Sequence, residues 1–391
     1  MGEHALLAAS GSEKWLNCTP SARLEETLPE STSGYAEEGR LAHEIAELKL
    51  RKTFVEPMGA RTFNSRLKKL QEKTLYQAEM MGHTDAYLDY ISNIAHGYAL
   101  KPYVAIEKKL DYSSYAPEGF GTGDCIIISG NTLHVIDFKY GKGVPVSAIN
   151  NSQMKLYALG AHSAYSILYG IEIIKIAIVQ PRLDSISEFD LTVDELLTWG
   201  ESIKPIAQMA FSGQGEFNPG DHCRFCRAKS LCRARADFYM EVKDKYLGMV
   251  PPLISNEEVA QILMSAADMK AWITHIEEYA LAECLQGREI PGWKAVEGRS
   301  NRQFSNTDAV FTVIKGAGYD EALLYERKPI TLTKVEELLG KPKFSELLTP
   351  YINRPPGKPT LAVDSDKREA IKRSSAQDDF GNEENGGNNN G

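Results

Sequence analysis

The sequence predicts an α/β (α+β) protein: a mixed central sheet flanked by helices, with a helix-rich C-terminal region. Three observations predict it. Residues 36–181 switch between the 3.6-residue period of helices and the two-residue period of strands, in the order helix, three-strand meander, helix, strand. The last of these strands, at 171–178, is rich in isoleucine on both of its faces, as a strand covered by helices on each side should be. Beyond about residue 250 a long helical stripe takes over.

Residues 36–52 carry Leu41, Ile45 and Leu48 at helical spacing, with His43 and Glu47 four apart on another face. Helical patches follow at Leu67–Met81 and Tyr87–Tyr98. In YVAIEKKL, residues 103–110, apolar Val104, Ile106, the Lys108 stem and Leu110 alternate with polar Glu107 and Lys109, and Glu107 reads as a solvated or ion-paired residue. DCIIIS and TLHVIDFKY flank Gly130-Asn131, a two-residue hairpin signal, because its turn needs positive φ. That turn sets Ser129 opposite Thr132 and Asp124 directly opposite Asp137, Cβ atoms about 5 Å apart. After the turn GKGVPV a helix is expected from about Ser147, then the strand at 171–181 and a helix over Thr192–Met209. Pro251-Pro252 marks a break before the helix at 256–287, and 288–362 reads as a small α+β unit with helices near 307–315 and 333–340. From Ser374 the chain is acidic and poor in apolar residues, so a disordered, solvating tail is expected.

The chain has 391 residues, 42% hydrophobic and 25% charged, and no apolar run approaches the roughly 18 residues of a membrane span. Its opening residues lack the basic and apolar regions of a secretory signal, and six cysteines are too few for a disulfide scaffold. The expected location is the cytoplasm. A net charge of −9 weighs against a nucleic-acid partner, although an average can hide a local basic groove.

Facing aspartates repel and raise each other's pKa, and a hard divalent cation, Mg²⁺ or Mn²⁺, offsets that cost while leaving room for phosphate oxygens. Asp137 and Lys139 are two apart on one strand, so a metal-binding carboxylate stands beside an ammonium, which suits phosphodiester hydrolysis. His43 is placed to complete the coordination as a neutral imidazole. Gln153 and Tyr157 share a helix face; facing the metal they can hold the substrate backbone or order Lys139, and otherwise they are surface positions.

The series Gly39-x-x-x-His43, Gly121-x-x-Asp124, Asp137-Phe138-Lys139 and Gln153-x-x-x-Tyr157, on helix, strand, strand and helix, resembles the motifs of RecB-like nucleases of the PD-(D/E)XK superfamily. The resemblance spans about residues 36–181. It implies a restriction-endonuclease-like core, metal binding by His43, Asp124, Asp137 and the carbonyl of Phe138, catalysis by Lys139, and service of the site by Gln153 and Tyr157. Phage-encoded proteins of this type are the relatives the chain looks most like, which would put it in the host cytoplasm.

Cys223-x2-Cys226-x5-Cys232 is a soft-ligand cluster that needs a fourth donor, from Cys18, His222, Cys125 or Cys284. Cys125 points away from Asp124, Cys284 reads as a buried free thiol, and Cys18 lies in a non-periodic segment just before the motif series, so Cys18 is the choice. One cysteine before the motifs and three after them resemble the iron-sulfur arrangement of AddB-like and CRISPR-associated nucleases, which implies a 4Fe-4S cluster stapling the ends of the domain; structural Zn²⁺ is the alternative. Closing a loop of roughly 200 residues removes denatured-state entropy. Arg224, Arg227, Lys229, Arg233 and Arg235 form a basic patch that either tracks phosphates or only solvates a loop.

The expected organisation is a nuclease domain over 1–245, with the cysteine segment at 217–235, a helix-rich domain over 250–373 and an acidic tail over 374–391. The expected function is a metal-dependent DNA exonuclease acting on single strands or duplex ends in recombination or replication, with a protein partner docking on the 250–373 region. The alternative is a non-catalytic nucleic-acid-binding recombination partner that keeps the fold and the cluster.

Overall fold

In the computed structural model, residues 5–29, 34–245 and 255–296 are described, together with 307–317, 339–348 and single positions between 320 and 352. The acidic tail and most of the helix expected at 333–340 lie outside the described residues. By contact the chain divides into two units, Met1–Glu297 and Gly298–Gly391.

The first unit is built on one five-stranded sheet in the order β1 (Tyr103–Asp111), β2 (Phe120–Ser129), β3 (Thr132–Phe138), β4 (Ile173–Gln180), β5 (Ser185–Thr192). Only β3 and β4 run parallel; the crossover between them contains α6 (Ser152–Tyr165). Gly130 takes φ +57 at the β2–β3 turn, so the predicted register holds from Ser129↔Thr132 to Cys125↔Ile136. β4 is buried over most of its length because a helical layer covers each face, the architecture the sequence predicts.

One layer, made of α1 (Ser12–Asn17), α2 (Ser21–Glu26), α6 and α7 (Val193–Ser212), shares its core with Ile126, Ile128, Val135 and Ile176. The opposite layer packs α3 (Gly34–Leu50) and α5 (Glu79–His96) against Cys125, Ile127, Ile136 and Phe138. A capping box of Thr192 and Glu195 starts α7 next to the end of β5. No described helix is long and apolar enough to cross a membrane.

Several local expectations are corrected. The patch at Leu67–Met81 is not one helix: α4 (Ala60–Gln71) ends in a break before α5. α6 begins at Ser152 rather than near Ser147, because Asn150 sits at φ +55 and the Asn151 side chain caps the Met154 N–H. Strand β5 was not predicted, although Ser187, Phe189 and Leu191 alternate with exposed Ile186, Glu188 and Asp190.

The alternation expected in β1 fails at its centre. Ala105 and Ile106 face opposite layers as predicted, yet Leu110 joins the α6 layer and Lys108 is exposed. Glu107 is the cause, with φ +48. Across the ladder, Ile106↔Cys125 and Lys108↔Gly123 pair while Glu107 and Asp124 do not. Both strands thus change face together at these two acidic residues.

Helix α9 (Asn256–Leu285) matches the predicted long helix and packs within the first unit: Trp272 stacks on Tyr239, and Ser230 Oγ donates to the His275 carbonyl at 3.0 Å. Its apolar positions are otherwise largely exposed, Leu263, Met264 and Leu285 among them. Cys284 is correspondingly half-exposed, not the buried thiol expected. In the second unit, Thr307–Gly316 and Lys341–Leu348 are helical.

Candidate metal and catalytic centre

The C-terminal ends of the parallel strands β3 and β4 are the place where an α/β sheet opens a crevice, and Asp137 and Lys139 stand there on the α6 side. Lys139 Nζ lies 3.0 Å from Asp137 Oδ2 and 3.3 Å from Oδ1. The first turn of α6 aims Gln153 between them: its amide oxygen accepts from Lys139 at 3.2 Å and its amide nitrogen donates to Asp137 at 3.3 Å. Tyr157, one turn further, accepts from the same amide at 3.4 Å. Gly121 makes room for Tyr157, since a Cβ there would lie 2.7 Å from the ring. This supplies a steric reason for the glycine of Gly121-x-x-Asp124.

Asp124 does not pair face to face with Asp137. The β2–β3 ladder stops one step short at Cys125↔Ile136, Asp137 pairs with Ile178 of β4, and Asp124 turns its carboxylate to accept the Phe138 N–H at 2.7 Å. A backbone donor thereby replaces a repulsive carboxylate pair. Asp124 Oδ2 also lies 3.6 Å from His43 Nδ1, whose ring packs edge-on against Phe138. A Cβ on Gly39, one helical turn before His43, would meet nothing within 4 Å.

Glu107 completes the constellation. His43, Glu107 and Asp124 each offer a ligand atom, all within 4.8 Å of one another, the spacing of a shared metal ion. Glu107, expected to be solvated or ion-paired, is half-buried, and the reversal at φ +48 turns it toward Asp124.

The electrostatics are those of an acid cluster short of positive charge. Burial, followed by the charges of Asp124 and Glu47 and opposed by Arg51, pushes Glu107 up to about 8. Asp124 is pushed up to about 6, by burial first, with His43 pulling it down and Asp137 pushing it up. Burial pulls the Lys139 ammonium down, but Asp137 and Asp124 outweigh it and the net direction is up, so Lys139 holds its proton. Asp137 is 3% exposed, and its Oδ2 accepts no hydrogen bond of acceptable geometry despite the nearby ammonium. A buried carboxylate oxygen with capacity to spare, beside two carboxyls held partly protonated, is a donor set fit for a hard divalent ion.

The cysteines occupy a separate cavity. Cys18, Cys223, Cys226 and Cys232 line it together with Lys14, His222, Lys229 and Arg235. Cys18 follows α1, Cys223 sits in the 3₁₀ turn Asp221–Phe225, and Cys232 immediately precedes α8 (Arg233–Lys245). Polar contacts join these distant segments: Lys14 binds Glu25 at 2.7 Å, Glu25 accepts the Arg227 N–H at 2.7 Å, and Thr19 Oγ1 donates to the Gln214 carbonyl at 2.6 Å. His222 bonds Cys18 and the Asn218 carbonyl, and the Cys18 contact is the main reason its pKa rises. Burial pushes the Cys226 thiol up to about 12. Cys125 is fully buried in the α3 layer.

Among solved structures, one titled "Crystal structure of SSO0001" is similar at 14% identity over 57% of this chain and 96% of that chain, with a TM-score of 0.24. The sequence matches, over residues 4–369, the family described as "Protein of unknown function (DUF2800)", and the chain belongs to that family.

Proposed function

We propose that the chain is a metal-dependent DNA nuclease of the RecB-like type, an exonuclease that hydrolyses phosphodiester bonds in single strands or at DNA ends. The observation that carries the reading is the convergence of Asp137, Lys139 and Gln153 beside the His43, Glu107 and Asp124 group. His43, Glu107, Asp124 and Asp137, with the Phe138 carbonyl, would hold Mg²⁺ or Mn²⁺. When bound, such an ion supplies Lewis-acid polarisation of the phosphoryl group and acidifies water at neutral pH.

The protein's own groups do the rest. Lys139, kept as an ammonium by two carboxylates, offsets the negative charge that develops on the phosphoryl oxygens and orients the attacking water. Gln153 fixes the Lys139 head group, and Tyr157 fixes Gln153. His43 and Asp124 anchor the α3 side of the site to the end of β3.

The cysteine cavity is read as the seat of a 4Fe-4S cluster. Four cysteines lining one cavity offer the four thiolates that such a cluster takes, and structural zinc is the alternative. The cluster would tie the N-terminal segment to the end of the domain, and the surrounding basic residues would meet nucleic-acid phosphates.

Incubation of the protein with end-labelled DNA and Mg²⁺ or Mn²⁺ tests the reading. Cleavage by wild type that is lost in Asp137→Ala and Lys139→Ala is expected. Absence of wild-type cleavage, or equal cleavage by the variants, overturns it. Anaerobic preparation tests the cluster: a brown protein containing iron is expected, and a colourless one containing zinc overturns it.

A further inference from the structure

The segment joining Lys139 to Gln153 leaves the centre and returns to it, for Lys139 Nζ and Gln153 Oε1 are 3.2 Å apart. A compact loop with closely spaced ends is a common carrier of function. Its two halves are built differently. The second half is fastened to the sheet: Gln180, 2% exposed, accepts from the Val146 N–H at 2.6 Å and donates to the Val144 carbonyl at 3.1 Å. The Ala148 N–H donates to Ser187 Oγ at 2.9 Å, and Asn151 caps α6. Tyr140 is buried against Phe138, but among the described residues Gly141–Gly143 carries no such tether. A Cβ on Gly141 or Gly143 would meet nothing within 4 Å, and Lys142 between them is exposed, with no ion-pair partner among the described residues. Two aliphatic side chains stand out along the same loop, Val144 at 40% and Ile149 at 61% exposure.

An unpaired cation on a glycine-flanked stem suits a phosphate, and exposed aliphatic groups suit the face of a base. Base faces are hidden inside a duplex stack and presented by a single strand. We propose that the loop Gly141–Ile149 grips an unpaired strand at the entrance to the centre, Lys142 on a backbone phosphate and Val144 with Ile149 against the neighbouring base. This deepens the nuclease reading and rests on it for the position of the scissile bond. The fastening by Gln180 and Ser187 keeps the aliphatic pair in place while Lys142 moves with the strand.

Fluorescence anisotropy in EDTA, where hydrolysis does not enter, reads the binding of the full chain to a labelled single strand and to the blunt duplex of the same sequence. Val144→Ser/Ile149→Ser is expected to weaken single-strand binding about ten-fold, the worth of losing one buried aliphatic contact, and duplex binding less. Lys142→Ala should weaken both about five-fold and flatten the salt dependence by about one phosphate contact. Ile167→Ser, 92% exposed beyond the far end of α6, should change neither. Single-strand binding of the double variant within about two-fold of wild type, or equal losses on both substrates, overturns the proposal. The outcome is separable from that of the nuclease reading. Loop-dependent binding without any cleavage upholds the loop and overturns hydrolysis; wild-type cleavage with indifferent loop variants does the reverse.

Discussion

The acidic centre and the cysteine cavity solve the same problem, gathering donors from distant sequence, by opposite means. The centre is assembled by the sheet: backbone register delivers Asp137 and Lys139 to one face, and a local reversal turns Glu107 and Asp124 toward α3. The cavity is assembled by side chains, where Lys14, Glu25, Thr19 and Arg227 join segments on either side of the sheet-forming sequence. The difference teaches that a strand-built site inherits the stability of the core. A site made at the junction of two chain segments needs its ligand to hold the segments together.

The largest expected effect breaks the comparison on the side of the centre. Lys139→Ala or Asp137→Ala should reduce single-turnover cleavage by about 10³-fold with the fold intact by circular dichroism, because the change removes charge stabilisation without touching the core. On the side of the cavity, Cys18→Ala, Cys223→Ala, Cys226→Ala or Cys232→Ala should lose iron and lower soluble yield, whereas Cys284→Ala, half-exposed on α9, should do neither. Iron retained in the Cys18 variant would move the fourth ligand to His222, which also lines the cavity.

Next in size, Glu107→Gln should weaken Mn²⁺ binding by about 10- to 100-fold in a paramagnetic titration, as for loss of one donor or its support. Protons compete for the same oxygens, and Glu107 at about 8 and Asp124 at about 6 must release theirs for metal to enter. Metal affinity should therefore rise as pH climbs from 6 to 8. The metal-free protein should behave in the opposite sense: folded Glu107 keeps its proton above the unfolded value of 4.5, so stability falls as pH rises toward 8. Thermal melts with and without Mn²⁺ check both signs. The smallest effect sharpens the role of packing: Gly121→Ala should displace Tyr157 and cost about 1–3 kcal/mol of stability, with a loss of cleavage that Tyr157→Phe, lacking only the hydroxyl, reproduces in part.

Much of this was legible because strand and helix periods are local. The Gly130-Asn131 turn fixed the β2–β3 register, and the two-residue spacing of Asp137 and Lys139 put both on one face with Gln153 above them. The Asp124–Asp137 pair was not legible, because the ladder ends where a side chain outcompetes the next backbone pairing for the Phe138 N–H. Glu107 was missed because its position depends on a positive φ that no propensity signals in a glutamate. Strand β5 was overlooked for a different reason: its alternation was present, but each inward residue is only partly buried save Leu191.

Crystals soaked in Mn²⁺ and measured at its absorption edge should show an anomalous peak bounded by His43, Glu107, Asp124 and Asp137; a map with no peak there, or with manganese bound only elsewhere, would rule this metal centre out.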